Sequence, residues 1–353
     1  MRRFAQYILL CVTLCCSLHS CNVHQWPEQP IPKVDVNLSL SFDTDMPLLA
    51  VIDRMSTMAS TNPDDYDVRY RINAYRIQNN GTLSTEPAAE WIFSRPEITV
   101  LDYNTTVYIE PGNYRFHAWV DYVDNNTTDD KFYSTNNFSG VRIINVEGKH
   151  VGNNDFRDAF IGSTDVLVEP EYELDLPPVE AHIDMGRPLA KFNFITTDLD
   201  EFVTRVLEMR AQQAEANGTP LPESELRPSS VDLSEFRINI RYAGFMPCEF
   251  NIFRDMPVDS DVNVNFNSNI LQINNTEAMI GFDYVFVNGQ QSKILVSISV
   301  YDQNDKLLSQ VPNIEVPLER SKLTTIRSRF MTESAQGGVG INAEFDGEFI
   351  LYF

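Results

Sequence analysis

Val34, Val36, Leu38, Leu40 and Phe42 alternate with Asp35, Asn37, Ser39 and Ser41, the period of two that sets one face of a β-strand against a core. The rhythm returns at Val68, Tyr70, Ile72 and Ala74, and again through Thr106–Ile109 and Tyr114–Val120. Between those last two runs, Glu110-Pro111-Gly112-Asn113 carries turn residues, which predicts a hairpin. Asp121–Phe138 is rich in Asn, Asp and Thr and reads as a polar loop ahead of a short strand at Val141–Val146. Further strands are expected over residues 236–242, 284–287, 294–301, 314–318, 323–331 and 345–353, with a turn at Asp302–Asp305. One long segment departs from this period. Asp198–Glu201 places acids where a helix dipole favours them, Phe202, Val206 and Met209 share one face, and Asn217-Gly218 with Pro220 ends the run. A shorter helix is expected at Met46–Arg54, before a turn at Asn62–Asp65. Strand after strand around one long helix predicts an all-β protein: two antiparallel sandwiches in series, the helix inserted in the second. The boundary is set at Gly186-Arg187-Pro188, giving domains 34–186 and 187–353, with no internal repeat of fixed period.

The length of 353 residues fits two domains, and a hydrophobic content of 43% with 22% charged residues fits a folded chain. The 50 acidic residues against 27 basic ones leave a net charge of −23, which repels a phosphate backbone and argues against nucleic acid as a partner.

The first 20 residues have their own pattern: Arg2 and Arg3, then an apolar stretch from Phe4 to Leu18, then Ser20 before Cys21. These are the parts of a secretory leader, and the stretch is short for a bilayer span. Leu18-His19-Ser20-Cys21 looks like the lipobox of bacterial lipoproteins, in which the cysteine is acylated and becomes the first mature residue, so Cys21 is the expected lipidation site and residues 1–20 the signal peptide. Loss of Arg2 and Arg3 with the leader makes the mature chain still more acidic. Residues 21–33 carry Pro27, Pro30 and Pro32 and form an extended tether. Of the five cysteines, Cys11, Cys15 and Cys16 leave with the leader and Cys21 takes the lipid. Cys248 is left without an intrachain partner.

Catalytic signatures are missing. His24, His117, His150 and His182 stand singly, and no nucleophile elbow, phosphate loop or dinucleotide fingerprint occurs. Gly337-Gly338-Val339-Gly340 lacks the Lys-Ser/Thr of a phosphate loop and reads as a bulge or turn. The acidic stretches Asp124–Asp130 and Asp255–Asn267 lack the central glycine and closing glutamate of a calcium loop. No metal and no cofactor are expected. A carboxylate pair for glycoside hydrolysis remains a minor alternative among so many acids. Trp91 and Trp119, the latter on the outward phase of its strand beside His117, are candidate platforms for stacking a glycan or peptide.

Several short stretches together resemble the fimbrillin-type lipoproteins of Bacteroidales, which build or anchor type V pili. They are Arg187-Pro188-Leu189-Ala190-Lys191-Phe192, Arg241 to Pro247, Asp283 to Asn288, Val316 to Thr325, Gly337 to Ile341 and Phe345 to Phe349. In the first half, Arg157-Asp158-Ala159-Phe160 and Pro111-Gly112-Asn113-Tyr114 add to the likeness. The resemblance implies two transthyretin-like sandwiches, export to the outer membrane or cell surface, and other fimbrial subunits as partners. It also implies assembly by β-strand addition after cleavage at an arginine behind the first strand. Here that strand is Val34 to Phe42, with Val34, Val36, Leu38, Leu40 and Phe42 as its inward side chains, and the arginine is Arg54. The expected role is a non-enzymatic fimbrial subunit or anchor; the alternative is a surface module binding glycan or peptide.

Overall fold

The expected alternation of the first strand is reproduced side chain by side chain: Val34, Val36, Leu38 and Leu40 are buried at 0–2% exposure, and the residues between them are only half buried. The computed structural model describes residues 32–42, 63–96, 102–170 and 177–332, and the backbone of 348–350. The leader, Cys21, the tether up to residue 31, the Met46–Arg54 helix and Gly337–Gly340 lie outside them.

The first half contributes β1 (Val34–Phe42), β2 (Tyr66–Arg76), β3 (Ala89–Arg95), β4 (Tyr103–Ile109), β5 (Gly112–Asp124), β6 (Tyr133–Ser134), β7 (Val141–Ile143), β8 (Ala159–Val168) and β9 (Val179–Met185). The second half runs through β10 (Leu189–Thr196), helix α1 (Leu199–Ala216), β11 (Arg237–Tyr242), β12 (Phe245–Asn251), β13 (Met256–Val262) and β14 (Asn265–Ser268). It continues with β15 (Leu271–Gln272), β16 (Ala278–Phe286), β17 (Gln291–Tyr301), β18 (Leu307–Glu319), β19 (Leu323–Ser328) and β20 (Glu348–Ile350). The protein is all-β with one long helix, as the sequence predicts.

Sheet β4-β1-β9 faces sheet β3-β2-β5-β8 in the first half, and sheet β15-β16-β10-β19-β20 faces sheet β14-β11-β17-β18 in the second. The two sandwiches share a strand order. In each, the opening strand, β1 or β10, lies between an antiparallel neighbour, β4 or β16, and a parallel one, β9 or β19. This duplication of topology leaves no sequence repeat, because only the alternation of apolar positions has to be kept.

Strands of the two halves also meet in one sheet, β13-β12-β7-β6. It covers the outer faces of β2 and β5, so the residues on both phases of those strands are buried. In the same way β10 and β16 are buried along their whole length. Close packing inside the second sandwich has a marker in Gly281, where β16 bulges against β10 and a Cβ would stand 2.1 Å from Ile240 Cδ1 of the facing sheet.

The hairpin expected at Glu110–Asn113 does not form. The turn is present, with Tyr114 Oη donating to Glu110 O at 2.9 Å, but β4 pairs with β1 while β5 pairs with β2 and β8. The chain crosses from one sheet of the sandwich to the other there. α1 packs Phe202 and Val206 into the core. Its preceding residue, Asp198, accepts from Thr332 N at 2.8 Å and Thr332 Oγ1 at 2.6 Å, so it ties down the chain beyond β19 rather than capping its own helix.

Candidate functional site

Two features join distant parts of the chain through specific side chains. The first is the seam around β1. It pairs antiparallel with β4 from Val34↔Ile109 to Leu40↔Tyr103, and parallel with β9 from Val36↔Val179 to Phe42↔Met185. A first strand therefore sits in the middle of its sheet, with both rows of backbone groups engaged. Its inner side chains fill the sandwich, and Phe42 meets Phe160 edge to face at 5.1 Å. On the outer face, Asn37 Nδ2 donates to Glu180 Oε1 at 2.9 Å, and Asn37 Oδ1 accepts from Thr106 Oγ1 at 2.7 Å. Ser39 Oγ lies 2.8 Å from His182 Nδ1, and Ser41 Oγ donates to Asp184 Oδ1 at 3.0 Å. This outer row is exposed, so each contact contributes little; the four buried aliphatic side chains together contribute roughly 6–12 kcal/mol. Arg54, the candidate cleavage site, lies outside the described residues.

The second feature is a buried ionic network at the waist. Asp283 on β16 accepts from Arg157 Nη1 at 2.7 Å, His150 Nε2 at 2.6 Å, Tyr242 Oη at 2.7 Å and the backbone N–H of Tyr284 at 2.8 Å. Asp158 takes Arg187 Nε on both oxygens at 2.9 Å, and Arg187 stacks on the Phe160 ring at 4.5 Å. Asp155 accepts from Lys191 Nζ and, at 3.2 Å, from Tyr284 Oη. All of these side chains are buried. Burial alone would raise the Asp283 carboxyl, but Arg157 and His150 outweigh it and hold the group below the ordinary carboxylate range. The His150 imidazole is pushed down, burial first and Arg157 adding to it, against the pull of Asp283.

The stretches that carry the family resemblance converge here: Arg157 and Asp158, Arg187 and Lys191, Tyr242, Asp283 and Tyr284. In each pair the cation and the carboxylate come from different segments, Arg157 with Asp283, Arg187 with Asp158 and Lys191 with Asp155, and together they bolt the halves at one place. The available signal was an ionisable residue inside an apolar run, Lys191 within Leu189–Ile195 and Asp283 within Ile280–Val287. Which pairs with which could not be read from it.

Trp119 is not a surface platform. It is 0% exposed, and Tyr133 of β6 packs edge to face on it at 5.2 Å. The outward phase of β5 is correct, but the waist sheet covers that face. Trp91 lies on the inner phase of β3, half buried and stacked on Phe116 with ring centroids 5.9 Å apart. It seals the core edge. His117, also on the outward phase, is buried between Tyr75 and Phe253, and its ring nitrogens have no partner among the described residues. Cys248 is buried and reduced, its thiol pushed up to about 12 chiefly by burial, so it is a packing residue. The acidic stretches are engaged by cations: Asp259 and Asp261 by Arg142, Asp130 by Arg69, Asp124 by Lys131. Among the described residues no three His, Cys, Asp or Glu side chains gather as metal ligands.

His117 has a measurable consequence. Burial, with Arg115 nearby, lowers its pKa from 6.5 to about 4. The unfolded chain therefore binds a proton first, so stability is full above about pH 6.5 and is lost as the pH falls toward 4. That loss is on the order of 2–3 kcal/mol. Urea unfolding at pH 7 and pH 4.5 should show a smaller drop in His117→Phe than in the natural protein; equal drops would refute the assignment.

Fold and seam define the molecule as an all-β double sandwich closed by its own first strand. The chain belongs to a family of unknown function (DUF6562), whose model matches residues 29–351. No curated protein matches it. Among solved structures it is similar to one described provisionally as a cell adhesion protein, from Bacteroides eggerthii DSM 20697, at 11% identity over 93% of this chain and 94% of that one, with a TM-score of 0.44. It is also similar to the fimbrial anchor protein Mfa2 from Porphyromonas gingivalis, at 10% identity over 79% and 82%, TM-score 0.36. The tip fimbrial protein Mfa3 from the same organism, with a C-terminal truncation, matches at 10% over 80% and 81%, TM-score 0.35.

Proposed function

We propose that the protein is a non-enzymatic, lipid-anchored cell-surface protein that serves as a subunit or anchor of a fimbrium and joins its neighbours by β-strand addition. The observation that carries the reading is the position of β1. A terminal strand that occupies the centre of a sheet can be exchanged for an equivalent strand of another chain, with the same backbone hydrogen bonds and the same pockets refilled. β10 has the same two neighbours, yet a single cut on either side of it leaves it joined to one whole half of the molecule, so it cannot leave after one cut. The Bacteroidales-type sequence stretches and the lipobox at Cys21 supply the rest: surface export, an acyl anchor in the outer membrane, and other subunits as partners.

Electron microscopy of cells with and without the gene tests the reading. Loss of a filament, or its release into the medium, supports it; an unchanged cell surface would refute it. The anchor is tested separately. Cys21→Ala should move the protein from the membrane to the soluble fraction, because acyl chains provide most of the membrane affinity; unchanged partition on fractionation would remove the lipid from the account.

A further inference from the structure

Lys191 and Asp155 meet where water does not reach, with side chains 6% and 0% exposed. The pairs of Lys131 with Asp124 and of Lys293 with Glu315 are open to solvent by contrast, at 30–65%. Both buried partners are set in place by their own segments. Asp155 opens a single tight turn, Asp155–Arg157, whose start is capped by Asn154 Oδ1 accepting from the Phe156 N–H at 2.9 Å, and Phe156 stacks on Tyr66 at 3.8 Å. Lys191 stands on β10 directly opposite Tyr284 of β16.

Lys191 Nζ donates to Asp155 Oδ1 and lies 4.4 Å from the centre of the Phe282 ring and 5.3 Å from that of Tyr284. Tyr284 Oη donates to the same carboxylate oxygen at 3.2 Å, and burial, the largest influence on it, keeps that hydroxyl protonated well beyond the ordinary range. The other oxygen, Asp155 Oδ2, is buried without a partner among the described residues. Two opposite charges and a bare carboxylate oxygen are costly in such a place. A primary amine is at the same time fixed against a carboxyl group, the arrangement that most raises the effective concentration of two reacting groups.

We propose that Lys191 and Asp155 condense to an amide, an isopeptide bond that joins the two halves covalently at the waist. The ammonium passes one proton to Oδ1, its hydrogen-bond partner, and the lone pair freed on Nζ attacks Asp155 Cγ, so that the Nζ–Cγ bond forms. A second proton follows from Nζ to Oδ1, the Cγ–Oδ1 bond breaks, and Oδ1 leaves as water. One ammonium and one carboxylate become one amide and one water, with no co-reactant. Tyr284 Oη donates to the oxygen that leaves and eases its departure. The product removes both buried charges, Oδ2 becomes a neutral carbonyl oxygen, and the two aromatic rings keep out the water that would reverse the step. The bond closes a loop that contains β8 and β9, so it limits how far the unfolded chain can open. It does not depend on the fimbrial reading.

The test is peptide mass spectrometry of the folded full-length protein after digestion with trypsin, which cuts behind Lys149 and Arg157 but not behind an acylated lysine. A branched peptide is expected, residues 150–157 joined to a segment in which Lys191 is uncut, lighter by one water than the two apart. Lys191→Arg should lack it, because a guanidinium is not a nucleophile under these conditions. Tyr284→Phe, which removes one hydroxyl and keeps the ring, should gain the bond about 10-fold or more slowly after refolding. Lys191 cut as usual, with both peptides at full mass, would overturn the proposal. So would a loss of water confined to residues 150–157, the mark of a succinimide at Asp155 with Lys191 left free. An equal rate in Tyr284→Phe would overturn the part given to the tyrosine.

Discussion

Asp283→Ala should destabilise the protein by about 3–5 kcal/mol, lowering the melting temperature by on the order of 10 °C. The substitution leaves the Arg157 guanidinium, 2% exposed, without its counter-charge, and leaves His150 and Tyr242 without their acceptor. The cost is that of an uncompensated buried charge, far larger than the worth of an ordinary contact. Asp165→Ala is the control. Its pair with Arg115 is equally short, at 2.6 Å, but the two side chains are 50% and 42% exposed, so the expected loss is about 0–1 kcal/mol. Arg157→Met combined with Asp283→Ala should recover part of the loss, because an apolar pair of similar volume carries no charge to bury. Equilibrium denaturation of the four proteins checks this. A loss below 1 kcal/mol for Asp283→Ala would mean that the waist network does not hold the halves together.

That network explains where sequence reasoning stops. β1 and α1 were legible because each keeps a single period, and a single period is set by one buried face. Trp119 and His117 were misread for the complementary reason. The phase of Tyr114–Val120 is right, but both phases are buried, since Tyr133 and Phe253 come from other segments to cover the outer one. Nothing local announces a second buried face except polar residues that later find partners, such as Arg69 with Asp121 at 2.7 Å. The Pro111-Gly112 turn shows the same limit. Its residues specify a reversal of the chain, whereas the choice between pairing back on β4 and crossing to the opposite sheet depends on β1 and β2, which are already in place beside them.

Removing β1 should convert a monomer into a species that must acquire a strand. The four inner side chains account for roughly 6–12 kcal/mol of burial, as much as the net stability of a whole domain. Sheet β4-β1-β9 would in addition be left as two strands facing an empty slot. A chain that begins at Met55, the product of a cut after Arg54, should therefore oligomerise or aggregate in size-exclusion chromatography with light scattering, where the intact chain and Arg54→Ala stay monomeric. A synthetic peptide spanning Val34 to Phe42, added during refolding, should restore the monomer. The same peptide with Leu38→Asp should not, because Leu38 is 1% exposed and a carboxylate at that depth has no partner. A truncated chain that stays monomeric with an unchanged melting temperature would rule out strand exchange at this seam. Whether cells make the cut is a separate question, and it divides shaft from anchor. A polymerising subunit has to lose β1, whereas an anchor keeps it. We expect the uncleaved form, because the sequence just before Arg54, Leu48 to Ile52, is apolar, whereas the chain that proteases nick is preferentially small and polar. N-terminal sequencing of protein taken from cells reads the answer directly, as a blocked, acylated Cys21 for the anchor or a free Met55 for the shaft.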